Sequence, residues 1–376
     1  MKSIIRLFVF FVVSGIKAVY YRVYALIVLL AKPSCYLAES YYPEFKDKRK
    51  SPLRIFFEQL VNIMRYGFID DYYFAYGFDI KGLHKKSDYV EYSVFRKRRN
   101  RLNNASLSSP LSVLRNKLVF AAVAKSYGLN TPEPICLIQS GKVLIPWTGE
   151  QLDLQNFLTG RQINAYCKLL DGECGQGVFK LTADANDIKL NDAPIDFAQL
   201  LHTLGKGRFL LQEAITNQCL ELSTIYPHSI NTIRLETIVN PKTGSIEIFP
   251  PLLRVGAHGN IVDNWAKGGL AITIDVENHC LGELGYYKIG KGTKTDRHPD
   301  TGVIFQSYKL PFINEAIEQA KRFHQCLPGI HSIGWDIALT EQGPCFIEGN
   351  DNWEISLVQM CSHGLKQDFD QWFAKG

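Results

Sequence analysis

Asp336, Glu348 and Asn350 are three hard-oxygen side chains whose spacing lets them share one cation. They belong to residues 333–350, IGWDIALTEQGPCFIEGN, which read as two strands joined by the Glu341-Gln342-Gly343 turn. A turn centred on Gln342 sets Asp336 opposite Glu348, with their Cβ atoms about 5 Å apart. Asn350 shares that face by the period of two. Facing carboxylates repel unless a cation lies between them, so the pattern predicts a divalent ion on oxygen ligands. Magnesium bridging to nucleotide phosphates suits this donor set best. The alternative at this point is that both acids face solvent and one pairs with an arginine.

A phosphate-binding element lies upstream. Residues 164–169 read as a strand, followed by the loop Leu170-Asp171-Gly172-Glu173-Cys174-Gly175-Gln176-Gly177 and a second strand over 178–182. Gly172, Gly175 and Gly177 would let backbone amides approach a polyphosphate, although glycines also make ordinary hairpin loops. Lys168, near the end of the first strand, is the natural charge to meet phosphate oxygens. No GxxxxGK[ST], GxGxxG or HRD motif supports another nucleotide fold.

The elements that must position these groups follow from local patterns. Ser109 and Pro110 open a helix over 110–127 with an apolar stripe at Leu111, Leu114, Leu118 and Ala122. Lys117 lies at the margin of that stripe, either solvated or reaching back over the domain. Residues 209–215, FLLQEAI, read as a strand with a polar end. Residues 229–240 and 245–256 form a hairpin around Pro241-Lys242-Thr243-Gly244 that carries Arg234 and Arg254. A second glycine signal over 263–269 precedes a strand at 270–275.

Composition bounds the whole. With 376 residues, 46% hydrophobic and 21% charged, the chain is globular and long enough for two or more domains, which excludes disordered, collagen-like and coiled-coil classes. Its nine cysteines show no CxxC pair, so neither a disulfide framework nor a zinc site is expected, and a reducing, cytoplasmic setting is. The net charge of +5 conceals 22 Lys and Arg against 9 Asp and Glu in residues 1–125, and 20 against 28 in the rest. Residues 4–31 are apolar except for Arg6, Lys17 and Arg22, so their uncharged runs fall short of the roughly 20 residues that span a bilayer. Residues 1–33 are expected to lie in a membrane interface on the cytoplasmic face, with a tilted signal-anchor and a buried helix as alternatives. The basic block Arg96, Lys97, Arg98, Arg99 and Arg101 lacks interleaved stacking aromatics, which argues against nucleic acid. It is read as a solvated helix face or a contact for anionic headgroups.

Five segments in order resemble a known family: SINTIRLETI (229–238), LLRVG (252–256), VDNWAKGGLAITID (262–275), HPDTG (298–302) and GWDIALTEQGPCFIEGN (334–350). Together with the lysine before the glycine loop and the strand ending in Gln-Glu, they are similar to the sugar-transfer-associated ATP-grasp family, related to glutamate-ligase-like proteins. The resemblance covers roughly residues 85–360. It implies an α+β class with the ATP-grasp fold, two α+β subdomains gripping ATP over 109–376, preceded by a helical basic region over 34–108 and the helix of 1–33. It further implies that Lys117 and Lys168 contact ATP phosphates and that the glycine loop covers the γ-phosphate. Gln212, Glu213 and Ile215 would form the linker that reads adenine. Asp263, Asn264, Gly268 and Gly269 would lie near phosphate and acceptor, Glu221 near the ribose, and Asp336, Glu348 and Asn350 would hold magnesium. Arg234 and Arg254 would neutralise an acyl phosphate and the tetrahedral adduct that follows. His298 and Asp300 are divided between substrate contact and structure. Arg115-Asn116-Lys117 departs from the Asp-Lys that many superfamily members carry. The implied activity is ADP-forming ligation of a carboxylate to a sugar or amine acceptor in surface-polysaccharide assembly. A phosphotransferase and a non-catalytic nucleotide-binding membrane adaptor are the alternatives.

Overall fold

The computed structural model describes residues 2–104, 110–170, 172, 177–184, 187–205, 207–260, 263, 265 and 268–374, with side chains from residue 15 onward. Gly175, Asn264 and the expected N-cap Ser109 lie outside the described residues. The chain begins with the helices α1 (Lys2–Ala31), α2 (Pro52–Tyr66) and α3 (Tyr92–Asn103), followed by α4 (Leu111–Arg115) and α5 (Lys117–Ser126).

Where the sequence predicts one helix over 110–127, the structure has two. Asn116 breaks it by adopting an extended conformation (φ −117°, ψ 110°), and its side chain accepts from the Leu118 and Val119 N–H groups. Asn116 is therefore the N-cap of α5, and Lys117 is its first helical residue. Asp is as good an N-cap as Asn, so the departure from Asp-Lys preserves the local geometry.

The first sheet is antiparallel throughout. Its strands are β1 (Pro134–Gln139), β2 (Lys142–Leu144), β3 (Gln151–Asp153), β4 (Ile163–Leu169), β5 (Val178–Ala183), β6 (Ile188–Leu190), β7 (Ala193–Pro194) and β8 (Arg208–Glu213), in the order 3-2-1-8-4-5-6-7. Alternation in β4 turns Ile163, Ala165 and Cys167 into a core with Phe157, Leu200 and Leu211, which leaves Lys168 on the opposite face. The strand expected over 209–215 ends at Glu213, so Ile215 lies beyond the sheet.

The second sheet comprises β9 (Thr232–Val239), β10 (Ile246–Ile248), β11 (Leu252–Val255), β12 (Leu270–Asp275), β13 (Cys280–Tyr287), β14 (Lys294–Thr295), β15 (Ser332–Thr340) and β16 (Gly343–Asn350). Its order is 14-13-12-11-9-15-16, with β10 also paired to β9. Ile233, Leu235, Trp335 and Ile337 point to one face. They are covered there by Phe120 of α5 and by the apolar stripe Ile313, Ile317, Ala320 and Phe323 of α6 (Ile313–Gln325). On the opposite face Ile238, Phe249, Leu252 and Trp353 share a core with Tyr73, Tyr76 and Phe95 from the N-terminal segment. That segment is thus a cover for the second sheet. Arg99, expected with its neighbours on a solvated face or at headgroups, is fully buried there and donates to the Trp353 carbonyl and to Asn352.

The hairpin β15–β16 pairs Asp336 with Glu348 as expected, but by another route. Its turn is a tight one, with Thr340 opposite Gly343, so a regular ladder would set Asp336 against Ile347. A bulge between the Ile337–Phe346 and Asp336–Glu348 pairs moves the register by one residue. Without it Glu348 would face Trp335, inside the apolar core. Gly349 takes that place, where an added Cβ would come within 2.9 Å of Leu114 and 3.0 Å of Trp335.

Because Asn116 satisfies two N–H groups of α5, Asn116→Ala is expected to lower stability by about 1 kcal/mol, whereas Asn116→Asp retains it. Chemical denaturation of the three proteins in parallel would test this, and equal midpoints for all three would remove the capping role.

Candidate functional site

The two sheets meet at the β15–β16 hairpin. The segment entering the first sheet docks on β16, where the Phe346 N–H donates to the Asn130 carbonyl at 2.8 Å. The segment leaving it docks on β15, where the Cys219 N–H donates to the Leu339 carbonyl at 2.9 Å. Lys168 of β4 is thereby brought to the charged face of the second sheet.

A row of charges crosses that face, with Glu348 on β16, Asp336 on β15, Arg234 on β9 and Arg254 on β11. Arg234 Nε lies 3.1 Å from Asp336 Oδ1 and Nη2 donates to Oδ2 at 3.4 Å, while Arg254 Nη1 donates to Oδ1 at 3.2 Å. Arg254 Nη2 also donates to Asp263 at 3.0 Å, and Asp263 accepts from the Thr232 hydroxyl. Burial opposes ionisation of Asp336, yet the two arginines outweigh it and hold its carboxyl below the usual range. The reading in which one acid pairs with an arginine is therefore right for Asp336, although the site is buried.

Glu348 has no arginine of its own. Desolvation, and then the Asp336 charge beside it, raise its pKa, with Lys117 and Lys168 opposing. Asn350 Nδ2 donates to Glu348 Oε1 at 3.2 Å. Among the described residues no three His, Cys, Asp or Glu side chains gather as a metal cluster, so the converging oxygen donors are Asp336, Glu348 and the Asn350 amide. A hard divalent ion fits this set, because it relieves the pressure on Glu348 to hold a proton.

The lysines come from different elements. Lys117 Nζ donates to the Gly172 carbonyl at 2.7 Å and its backbone N–H reaches the Leu170 carbonyl at 3.4 Å, so α5 clasps the start of the glycine loop. Lys168 Nζ donates to Gln212 Oε1 at 3.2 Å, and Gln212 Nε2 donates to the Pro132 carbonyl at 3.0 Å. The Gln212 side chain therefore orients a lysine. Burial pushes the Lys168 pKa down while Glu348 pulls it up, the situation of an ammonium group short of anions. At the far end of the loop Gly177 has φ +63°, and a Cβ there would sit 2.5 Å from Leu169. In the linker, the Glu213 N–H is bonded to the Glu133 carbonyl and the Ala214 N–H to the Asn164 carbonyl.

Other expected positions are placed less centrally. Gly268 (φ +101°) and Gly269 are buried just before β12. Glu221 is half-buried in the short helix Leu220–Ile225. His298 is fully buried, with Nε2 at 2.8 Å from the Gly256 carbonyl and Nδ1 facing the Asp300 and Thr301 N–H groups, which fills both ring nitrogens structurally. Asp300 accepts from the His258 N–H at 2.6 Å. Sequence reasoning missed Glu236. It is two residues after Arg234 and so on the same face, 1% exposed, with Oε2 unpartnered. Burial pushes its carboxyl up to about 7, with Arg234 opposing. Strand alternation from Arg234 was the available signal.

Two sheets gripping paired lysines, a glycine loop and an acidic hairpin define an ATP-grasp protein. The profile of the sugar-transfer associated ATP-grasp family matches residues 96–371, and the chain belongs to that family. No curated protein matches it. Similar solved structures include D-alanine-D-alanine ligase from Helicobacter pylori, at 12% identity and TM-score 0.40, covering 69% of this chain and 60% of that one. L-amino acid ligase from Bacillus licheniformis is 11% identical at TM-score 0.38, covering 84% and 58%. N5-carboxyaminoimidazole ribonucleotide synthetase from Thermotoga maritima is 16% identical at TM-score 0.34, covering 64% and 43%. The chain spans about half the length of these proteins.

The Glu236 carboxyl, raised from 4.5 to about 7, binds more protons folded than unfolded between these values. Its contribution to stability is full below about pH 4.5 and is lost as pH rises through 7. Glu236→Gln is therefore expected to lose less stability than wild type between pH 5 and pH 8, by about 3 kcal/mol at most. Denaturant melts at both pH values would show this difference, and parallel pH slopes would refute it.

Proposed function

We propose that this protein is a magnesium-dependent, ADP-forming ligase that activates a carboxylate and transfers it to an amine or hydroxyl acceptor. The observation that carries this reading is the convergence on the Glu348–Asp336 pair of Lys168, from the first sheet, and Lys117, from the helix packed on the second. An ammonium group short of anions, Lys168, beside a carboxylate short of cations, Glu348, suits one ligand, a metal-bound polyphosphate.

ATP would lie between the sheets, its phosphates held by Lys117, Lys168 and the backbone of the glycine loop. Asp336, Glu348 and Asn350 would hold magnesium, which when bound supplies neutralisation of phosphate charge. A substrate carboxylate oxygen attacks the γ-phosphorus as the bond to ADP breaks, giving an acyl phosphate. The acceptor then attacks the carbonyl carbon and phosphate departs with the bonding pair. Arg234 and Arg254, fixed by Asp336 and Asp263, present cationic edges to the growing charge without reorganising. The family description points to a sugar acceptor, and surface-polysaccharide assembly is its proposed setting. All eight described cysteines are free, which supports a reducing cytoplasmic location, with residues 1–33 against the membrane surface.

The test is ATP binding by the full chain with and without magnesium, beside Glu348→Gln. Wild type is expected to bind tightly only with magnesium, and the variant to lose that dependence; folded wild type that binds no nucleotide would reject the proposal. With a turnover-competent acceptor, free phosphate should appear together with ADP. Phosphate recovered on the acceptor would make the enzyme a phosphotransferase.

A further inference from the structure

The N-terminal helices carry an apolar surface that the proposed chemistry does not use. Ala25 and Leu29 of α1 pack against Ile63 of α2, with Phe56 and Leu60 beside them. Arg22 ties this seam at one end, where Nε donates to the Met64 carbonyl at 3.2 Å and Nη1 to the Ala18 carbonyl at 3.0 Å. Among the described residues no helix is long and apolar enough to cross a membrane.

α2 nevertheless exposes a second apolar stripe. Leu53, Phe57, Val61 and Met64 are 54–67% exposed and lie about 75° further round the helix than Phe56 and Leu60. They border the seam on one side. On the other, Leu53, Phe57 and Val61 form a wall of a groove of about 980 Å³ whose rim carries Arg54, Arg65, Lys86 and Lys366. On α1, the residues turned away from the seam include Ile16, Tyr20, Val23, Tyr24, Ile27 and Leu30, each 51–64% exposed. Tyrosines beside aliphatic residues suit the boundary between headgroups and acyl chains.

Charge selects the occupant. Several rim cations are paired, Arg54 with Glu58, Lys86 with Asp70 and Lys366 with Asp370. The excess comes from the helices and their flanks, since residues 1–66 hold 11 Lys and Arg against 4 Asp and Glu, with no acid before Glu39. A second copy of the chain would set this positive surface against itself, whereas an anionic bilayer neutralises it.

We propose that α1 and α2 together form a membrane-docking face that takes the interfacial layer of an anionic lipid bilayer, with the Leu53–Phe57–Val61–Met64 stripe as its second contact. This rests on the reading of residues 1–33 as membrane-associated and extends it to a helix within the folded body. The catalytic cleft is thereby held at a set distance from the surface instead of on a free tether.

The full chain would be floated with phosphatidylcholine vesicles and with vesicles that also contain phosphatidylglycerol, beside Phe57→Glu/Val61→Glu and Ile27→Glu/Leu30→Glu. Wild type is expected to float with the anionic vesicles and to be released by salt, and each double variant to bind about tenfold more weakly or less. Circular dichroism checks the fold, and Leu53→Gln/Val61→Gln replaces the glutamate pair if that pair unfolds. If the α2 variant floats like wild type while the α1 variant does not, α1 alone anchors and the two-helix face is wrong. If wild type floats with neither vesicle, the membrane reading of residues 1–33 falls as well. If wild type is a stable dimer that the α2 substitutions dissociate, the stripe is an interface between copies.

Discussion

Two like charges held side by side in a buried β-ladder are the constraint on which the rest of the site depends. Burying Asp336 and Glu348 together is costly unless cations answer them. The second sheet supplies cations for only one: Arg234 and Arg254 both turn to Asp336, and Asp263 with Thr232 fixes Arg254 in return. Glu348 is left with excess negative charge that Lys168 offsets from across the junction and Lys117 from the start of α5. These opposite imbalances at the junction between the sheets are what the proposed ligand, a nucleotide carrying a metal ion, would answer.

The scaffold is arranged to keep that imbalance in place. One bulge in β16 keeps Glu348 out of the Trp335 core and beside Asp336, and Gly349 fits where no larger residue does. The Asn116 cap starts α5 at Lys117, so the lysine leaves the first turn toward the glycine loop. Gln212 spans from the Pro132 carbonyl to Lys168 and makes the lysine's position depend on the linker between the sheets. Beyond the end of β16, Arg99 and Phe95 brace Trp353 and Asn352, the residues into which that strand runs. The N-terminal segment thus has two faces, one completing the core over the second sheet and one exposing the α2 stripe.

Sequence by itself determined which residues share a face, because strand alternation is a local property of the backbone. Glu348 and Asn350 were assignable to one side of their strand before any contact was known, whereas Asp336 meets Glu348 only because a bulge shifts the ladder by one residue. The ordered family segments added the fold class. Tertiary structure alone decided what those side chains meet. Whether an arginine serves Asp336 or a ligand depends on strands brought together from positions over 80 residues apart. The break at Asn116 was hidden, because the apolar spacing runs through it and only docking against the Gly172 loop gives the break a purpose. The burial of Arg99 and the exposure of Phe57 were hidden for the same reason: a sequence shows which residues are apolar or charged, but the neighbouring elements settle which side of a helix is covered.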